Sequence, residues 1–273
     1  MTRQSYDLSH PEYMWVSQDN KALYGCNQDW YLIEFRRRAG CGPVAATNIL
    51  LYLRKKYGLE MIPYRSGGIG EVLAAMNDVF LYVRPKRRGL HTVKKFVKGM
   101  CKLGHNYGLS FWYQYLVIPP QDELRPGLEK IVRFIEDGLK NDVPVAFLNL
   151  DAGEVEDQLS SWHWVTVVGM SYGASAESAK PDSAAPTGIG TADGESAGGT
   201  ADGASSDYTG RDDTAPEREI GRRFGRGCEC ERERVYTLYY YDQSKSLKVD
   251  LNKWLGTTAR GGGFAYFRDP KEK

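Results

Sequence analysis

The chain has 273 residues, of which 41% are hydrophobic, and its formal net charge at neutral pH is +1. This length can bury a full hydrophobic core, and the near-zero charge gives no general reason to expect nucleic acid or a membrane surface as a partner. The N-terminus lacks the pattern of a signal peptide, and no stretch reaches the ~18 apolar residues of a membrane span. We therefore expect a soluble globular protein located in the cytoplasm.

Hydrophobic periodicity predicts four helices followed mainly by strands. The first helix runs from Cys41 to about Tyr57, where apolar residues recur at helical intervals and a glycine follows basic residues. Three more helices are predicted at 70–79, 92–103 and 128–139. Strands are predicted in FWYQYLVIP (111–119), NDVPVAFLNL (141–150), WHWVTVVGMSY (162–172) and ERVYTLYYYD (233–242). This order predicts an α+β domain in which a helical N-terminal half packs on an antiparallel sheet.

One break interrupts the domain. Residues 173–227 are nearly devoid of large apolar side chains and rich in Gly, Ala, Ser, Asp and Thr, so they cannot bury enough apolar surface to offset their ordering entropy. The flanking runs resemble the two strands of a hairpin, which predicts a long disordered insertion in its turn. We therefore divide the chain into an N-terminal arm (1–24), a first part of the domain (25–172), the insertion (173–227) and a second part (228–273).

Cys41 lies in AGCGPVAATNILLYL, at the predicted start of the first helix. Unpaired N–H groups and the helix dipole favour a negative charge there, so a thiol at this place ionises readily. Pro43 fits the first turn, and Gly40 and Gly42 are expected to leave room for a substrate beside the sulfur. The alternative is a small buried cysteine at a turn.

A nucleophilic cysteine needs a base, and the chain offers four histidines. His163 stands out because it begins an apolar strand between two tryptophans, where a buried imidazole needs a hydrogen-bond partner. The other three are expected on surface segments: His10, His91 and His105. A satisfied core histidine is the alternative for His163.

The remaining parts of a catalytic site are an acceptor for the imidazole and a donor for an oxyanion. Asp242 ends the strand expected to pair with that of His163, and Asp250 and Asn252 are its competitors. Gln28 precedes Cys41 closely enough to supply the donor, with Asn27 as the neighbouring alternative.

Taken in order, these segments resemble the papain-like cysteine peptidase superfamily, most closely the bacterial branch related to the peptidases that process bacteriocin leaders. The segments are Gln28, GCGPVAATNIL, VPVAFLNL, HWVTVVGM and YYYD. The resemblance implies a papain-like fold, a peptide or protein substrate and no cofactor. It implies that Cys41 is the nucleophile, His163 the general base and acid, Asp242 the orienting group and Gln28 an oxyanion donor.

Other functions stay open at this point. The same triad could serve an acyltransferase or a small-molecule amidase, and a papain-like shell could be a non-catalytic binding protein. The basic run RPKRRG (84–89) is a weak candidate for nucleic-acid contact and is more typical of a solvated face. Cys228 and Cys230 form a Cys-x-Cys pair without the further ligands that a structural zinc site needs.

Overall fold

The computed structural model describes residues 4–87, 89–174, 234–269 and 271. Within them the fold is α+β, as predicted. The helices are α1 (Glu34–Ala39), α2 (Cys41–Tyr57), α3 (Ile69–Tyr82), α4 (Val93–Asn106), α5 (Leu128–Lys140) and α6 (Leu251–Thr257). The strands are β1 (Gln4–Asp7), β2 (Val16–Gln18), β3 (Lys21–Leu23), β4 (Trp112–Ile118), β5 (Val145–Asn149), β6 (His163–Ala174), β7 (Arg234–Asp242), β8 (Lys245–Asp250) and β9 (Gly262–Arg268).

Seven of these strands form one antiparallel sheet in the order β4-β9-β5-β6-β7-β8. The seventh, β1, pairs with the second half of β6, beyond the point where the pairing of β5 with β6 ends. Strands β2 and β3 form a separate hairpin. The long strand β6 therefore lies in the middle of the sheet, and β7 is its neighbour on one side.

Helix α2 is the central helix of the domain. Every residue from Cys41 to Leu53 is buried, because this stretch is mostly apolar and packs against β6, α3 and the N-terminal segment. The basic residues are confined to its last turn, where they complement the helix dipole. Gly58 then ends the helix in a left-handed conformation with φ of 61°.

The N-terminal half is less purely helical than the sequence predicts. Residues 4–7 of the predicted arm form β1 in the main sheet, and Met14 and Val16 are fully buried.

Near the C-terminal end, helix α6 and its capping residue Asp250 follow β8 in a stretch for which no helix was predicted. Short amphipathic segments of this kind form because they pack on the sheet, and local periodicity alone does not reveal them.

The predicted insertion at 173–227 falls outside the described residues, except that Gly173 and Ala174 continue β6. Strands β6 and β7 pair antiparallel up to Ala174 and Arg234, which face each other. The two strands thus form the predicted hairpin, and the chain ends that enter and leave the connection are adjacent.

We expect residues 175–233 to be replaceable by the two-residue turn Asn-Gly. Such turns match the twist of paired antiparallel strands, and the described residues on both sides belong to one compact unit. The shortened protein should unfold at the same temperature as the full chain or several degrees higher, since each halving of a loop lowers its closure cost by about 0.6 kcal/mol. A shortened chain that is insoluble or unfolded by circular dichroism would contradict this expectation.

Candidate active site

Cys41 lies where two helices meet. Helix α1 ends at Ala39, and Gly40 caps both the end of α1 and the start of α2, of which Cys41 is the first residue. No side chain caps this helix start, so the first-turn N–H groups near the sulfur have no acceptor from a capping side chain. Cys41 is 8% exposed and lines an open cleft. Its thiol is therefore reachable from solvent at a helix N-terminus that favours a negative charge.

The glycines beside Cys41 have a different role from the one expected. A Cβ atom on Gly40 would lie 2.3 Å from the carbonyl oxygen of Arg36 and 2.6 Å from the ring of Tyr31. A Cβ atom on Gly42 would lie 2.9 Å from the side chain of Leu90. The expectation that they clear space for a substrate is therefore wrong, because protein atoms fill this space. The glycines allow α1 and the loop at Leu90 to pack closely against the start of α2.

Helix α2 and strand β6 run side by side in the same direction. The Nδ2 of Asn48 donates to the Oγ1 of Thr166 at 3.2 Å, in the buried interior. Asn48 is about 10 Å along the helix from Cys41, and Thr166 is about 10 Å along the strand from His163. The Asn48–Thr166 bond and the contact of Cys41 with His163 thus lie equally far along the two elements, which shows that α2 and β6 run in the same direction. Cys41 is close enough to act on the imidazole of His163 and helps to raise its pKa.

The imidazole of His163 also contacts Asp242. Its Nε2 lies 2.7 Å from the Oδ1 of Asp242, and both side chains are largely buried. This contact holds one ring nitrogen on the carboxylate, while Cys41 acts on the same ring. The structure thus brings Cys41, His163 and Asp242 together around one imidazole.

A β-bulge places Asp242 on the correct face of the sheet. The register of β6 against β7 shifts by one residue at Val168. With this shift, position 242 lies opposite Val165 and on the same face as His163. Without it, position 242 would lie opposite Thr166, and its side chain would point to the other face.

The contacts of His163 determine its charge. Burial lowers the pKa of His163. Hydrogen bonding and charge from Asp242 and Cys41 raise it by more than burial lowers it, so that the pKa is about 10. An imidazole with this pKa is protonated at neutral pH. The ring therefore places a positive charge between the carboxylate of Asp242 and the side chain of Cys41.

Folding stability should therefore fall as the pH rises from about 6.5 to 10. The unfolded imidazole loses its proton near pH 6.5, whereas the folded His163 keeps it until about pH 10. The stabilisation from the charged imidazole is thus complete below the unfolded pKa and is lost as the pH passes the folded pKa. We expect a loss of a few kcal/mol, measured by urea unfolding at a series of pH values.

The variant Asp242→Asn is the control for this titration. An amide does not stabilise the imidazolium as a carboxylate does, so the pKa of His163 should fall and the slope between pH 6.5 and 10 should flatten. Equal slopes in the two proteins would show that another group causes the pH dependence.

The competing acceptors have other partners. The side chain of Asp250 accepts a hydrogen bond from the backbone of Lys253 and caps α6. Asn252 bonds through its side chain to the backbone of Tyr236 and of Arg234. Neither is placed to orient His163.

Gln28 begins a short 3-10 helix (Gln28–Trp30) and is half-buried. The preceding segment is tied to the site on two sides. The backbone N–H of Cys26 donates to Asn48 on α2 at 2.9 Å, and Tyr24 donates from its backbone to Ser244, in the turn that follows Asp242. The side chain of Gln28 makes no hydrogen bond to Cys41, His163 or Asp242 in the described structure.

The alternative donor, Asn27, is already engaged. Its Oδ1 accepts a hydrogen bond from the backbone of Asp29 at 2.8 Å and caps the 3-10 helix. This bond turns the Asn27 side chain towards its own helix.

The cleft beside Cys41 has a volume of about 540 Å³. Two half-exposed aromatic residues, Phe35 and Trp162, line it together with the charged residues Glu34, Arg38 and Arg87. Trp162 immediately precedes His163 and has φ of 56°, a backbone conformation that a bulky residue adopts only under strain. The indole of Trp162 is thereby placed at the cleft.

Sequence reasoning missed two amide side chains that position the site. Asn48 joins the segment of Gln28 to α2 and β6, as described above. Asn149 is fully buried in β5 beside His163 and bonds to Ser160, Asp151 and Trp254, which holds the loop before His163 in place. A lone amide in an otherwise apolar run is the signal that could have revealed both.

Two further classes of site were sought in the described ranges. None of their helices is both long and apolar enough to cross a bilayer. The same residues contain no group of three or more His, Cys, Asp or Glu that could hold a metal ion. The pair Cys228 and Cys230 lies outside the described residues.

Comparison of the chain with protein-family models, with curated proteins and with solved structures found no match.

Proposed function

We propose that this protein is a cysteine-type peptidase or amide hydrolase with a papain-like fold and mechanism. The observation that carries the proposal is the contact of one buried imidazole, that of His163, with both Cys41 and Asp242 at the edge of an open cleft. The supporting architecture is a central helix that carries the nucleophile and two adjacent antiparallel strands that carry the base and the acid.

In the proposed reaction the Cys41 thiolate attacks the carbonyl carbon of an amide bond. The carbonyl oxygen becomes an oxyanion, which the N–H groups at the start of α2 and the side chain of Gln28 stabilise. His163 donates its proton to the nitrogen of the leaving amine as the C–N bond breaks. The acyl group stays on the sulfur as a thioester.

Water then completes the cycle. The neutral His163 takes a proton from a water molecule, whose oxygen attacks the thioester carbonyl. The C–S bond breaks, the carboxylic acid leaves, and the thiolate and imidazolium are restored. Asp242 holds the imidazole in one orientation and stabilises its charged form throughout.

The test is labelling of the native protein with iodoacetamide at pH 6, followed by mass-spectrometric mapping of all five cysteines. A thiolate stabilised by an imidazolium should react much faster at this pH than an ordinary thiol. Faster labelling of Cys41 than of any other cysteine is expected. Labelling of Cys41 no faster than that of the others would refute the proposal.

A further inference from the structure

The basic run at 84–89 lies partly in the cleft. Its residues Lys86 and Gly89 exchange backbone hydrogen bonds at 3.2 and 2.9 Å and form a tight turn. Arg87 is at the tip of this turn, exposed, and lines the cleft with Cys41. The sequence alone suggests this run as a weak candidate for nucleic-acid contact. In the fold, Arg87 and Gly89 of the run lie at the candidate active site.

Packing below the turn holds it in this position. The buried indole of Trp164 donates through Nε1 to the carbonyl oxygen of Leu90 and stacks on Phe96 with ring centroids 4.3 Å apart. The side chain of Leu90 fits against Gly42, one residue after Cys41. The loop that carries Arg87 is thus anchored to both the strand of His163 and the helix of Cys41.

The charges in the cleft do not balance. Arg38 has one partner, Glu34, at 3.7 Å, and both side chains are highly exposed, so the pair is weak. Arg87 makes no ion pair or hydrogen bond with any described residue. Two arginines and one glutamate therefore line the cleft, which leaves a net positive charge.

A third guanidinium stands at the rim. Arg260 lies over the indole of Trp162, with its guanidinium carbon 5.3 Å from the ring centroid. Trp162 and Phe35 provide aromatic surface on which the apolar part of a ligand could pack. Cationic groups beside aromatic side chains suit a ligand that has both a carboxylate, which the arginines can bind, and an apolar part, which packs on the aromatic rings.

We infer that this cleft selects substrates that carry a carboxylate close to the scissile carbonyl, held by Arg38 and Arg87. The inference rests on the proposed function and adds the substrate class to it. Acidic peptides have this chemistry, either through an aspartate or glutamate side chain or through a terminal carboxylate.

The test compares two alkylating agents that differ mainly in charge. Iodoacetate carries a carboxylate beside the reacting carbon, and iodoacetamide carries a neutral amide there. The measured quantity is the ratio of the two rate constants at Cys41, obtained by mass spectrometry. His163 attracts iodoacetate in every variant, so changes in the ratio report on the arginines.

The ratio of iodoacetate to iodoacetamide reactivity should fall about three- to tenfold in Arg38→Gln and in Arg87→Gln, because each removes a nearby positive charge. Glu34→Gln should raise it. Arg84→Gln removes a charge from the same basic run outside the cleft and should leave it unchanged. Higher salt should shrink the differences.

The outcomes separate the two proposals. Slow reaction of Cys41 with both reagents would refute the hydrolase, whereas a fast reaction with an unchanged ratio in both arginine variants would refute only the charge selection. Peptide vinyl sulfones then identify the source of the carboxylate. Faster labelling by a glutamate probe than by a glutamine probe would show that the cleft recognises a side-chain carboxylate. Faster labelling by a probe with a free acid terminus than by one with an amide terminus would show that it recognises a chain-terminal carboxylate. Equal rates in both pairs would overturn the inference.

Discussion

The Cys41→Ala variant is expected to fold normally and to lose all thiol-dependent hydrolysis. Alanine has no nucleophile, and removal of a catalytic nucleophile costs about 10⁴-fold or more in rate. Cys41 is 8% exposed at a helix start, so the deletion of one sulfur atom should change the free energy of unfolding by only about 1 kcal/mol. The measurement is the incorporation of a peptide vinyl sulfone into the protein, together with cleavage of a mixed peptide library followed by mass spectrometry.

Cys101→Ala is the matched control for this experiment. Cys101 lies on α4, is partly buried, and has a pKa that burial raises, so its thiol is a poor nucleophile. The control should keep wild-type labelling and cleavage. Activity that survives Cys41→Ala but not Cys101→Ala would show that the nucleophile is Cys101 on α4.

The His163→Ala variant should lose nearly as much activity while Cys41 is still present. Without the imidazole there is no group to take and return a proton, and this function contributes about 10²- to 10⁴-fold in rate. The thiolate also loses the positive charge that stabilises it. The rate of iodoacetamide labelling at Cys41 should therefore fall at pH 6 and recover above the ordinary thiol pKa of about 8.5.

His105→Ala is the control for the loss of a histidine. His105 is exposed at the end of α4, and its replacement should leave the labelling rate at Cys41 unchanged. A matching pH profile for His163→Ala and the wild-type protein would mean that His163 does not stabilise the thiolate.

Much of the local structure follows from the sequence because it depends on local periodicity. Helix α2 begins and ends at the residues predicted for it, since a buried apolar run, a basic last turn and a glycine stop all agree. Helices α3 and α4 are longer than predicted by a few residues at the C-terminus. Their last turns are stabilised by packing on other elements, which residue spacing does not report.

The candidate site is predictable in part for the same reason. A cysteine at a helix start, a histidine at a strand start and an aspartate at a strand end are all visible in the chain. Asn48 and Asn149 were missed because their role depends on which backbone groups lie beside them in the fold. Arg38 and Arg87 were missed because nothing in their local sequence distinguishes a cleft residue from an exposed basic residue.

The fold class, the central helix and the three residue types that the proposed chemistry needs can be read from the sequence. That these residues meet depends on the tertiary structure. The parallel course of α2 and β6 brings Cys41 to His163, and a one-residue bulge at Val168 turns Asp242 to the face of the sheet where it can bond to that imidazole. Side chains alternate along a strand, so the position of a single unpaired residue decides whether the group forms.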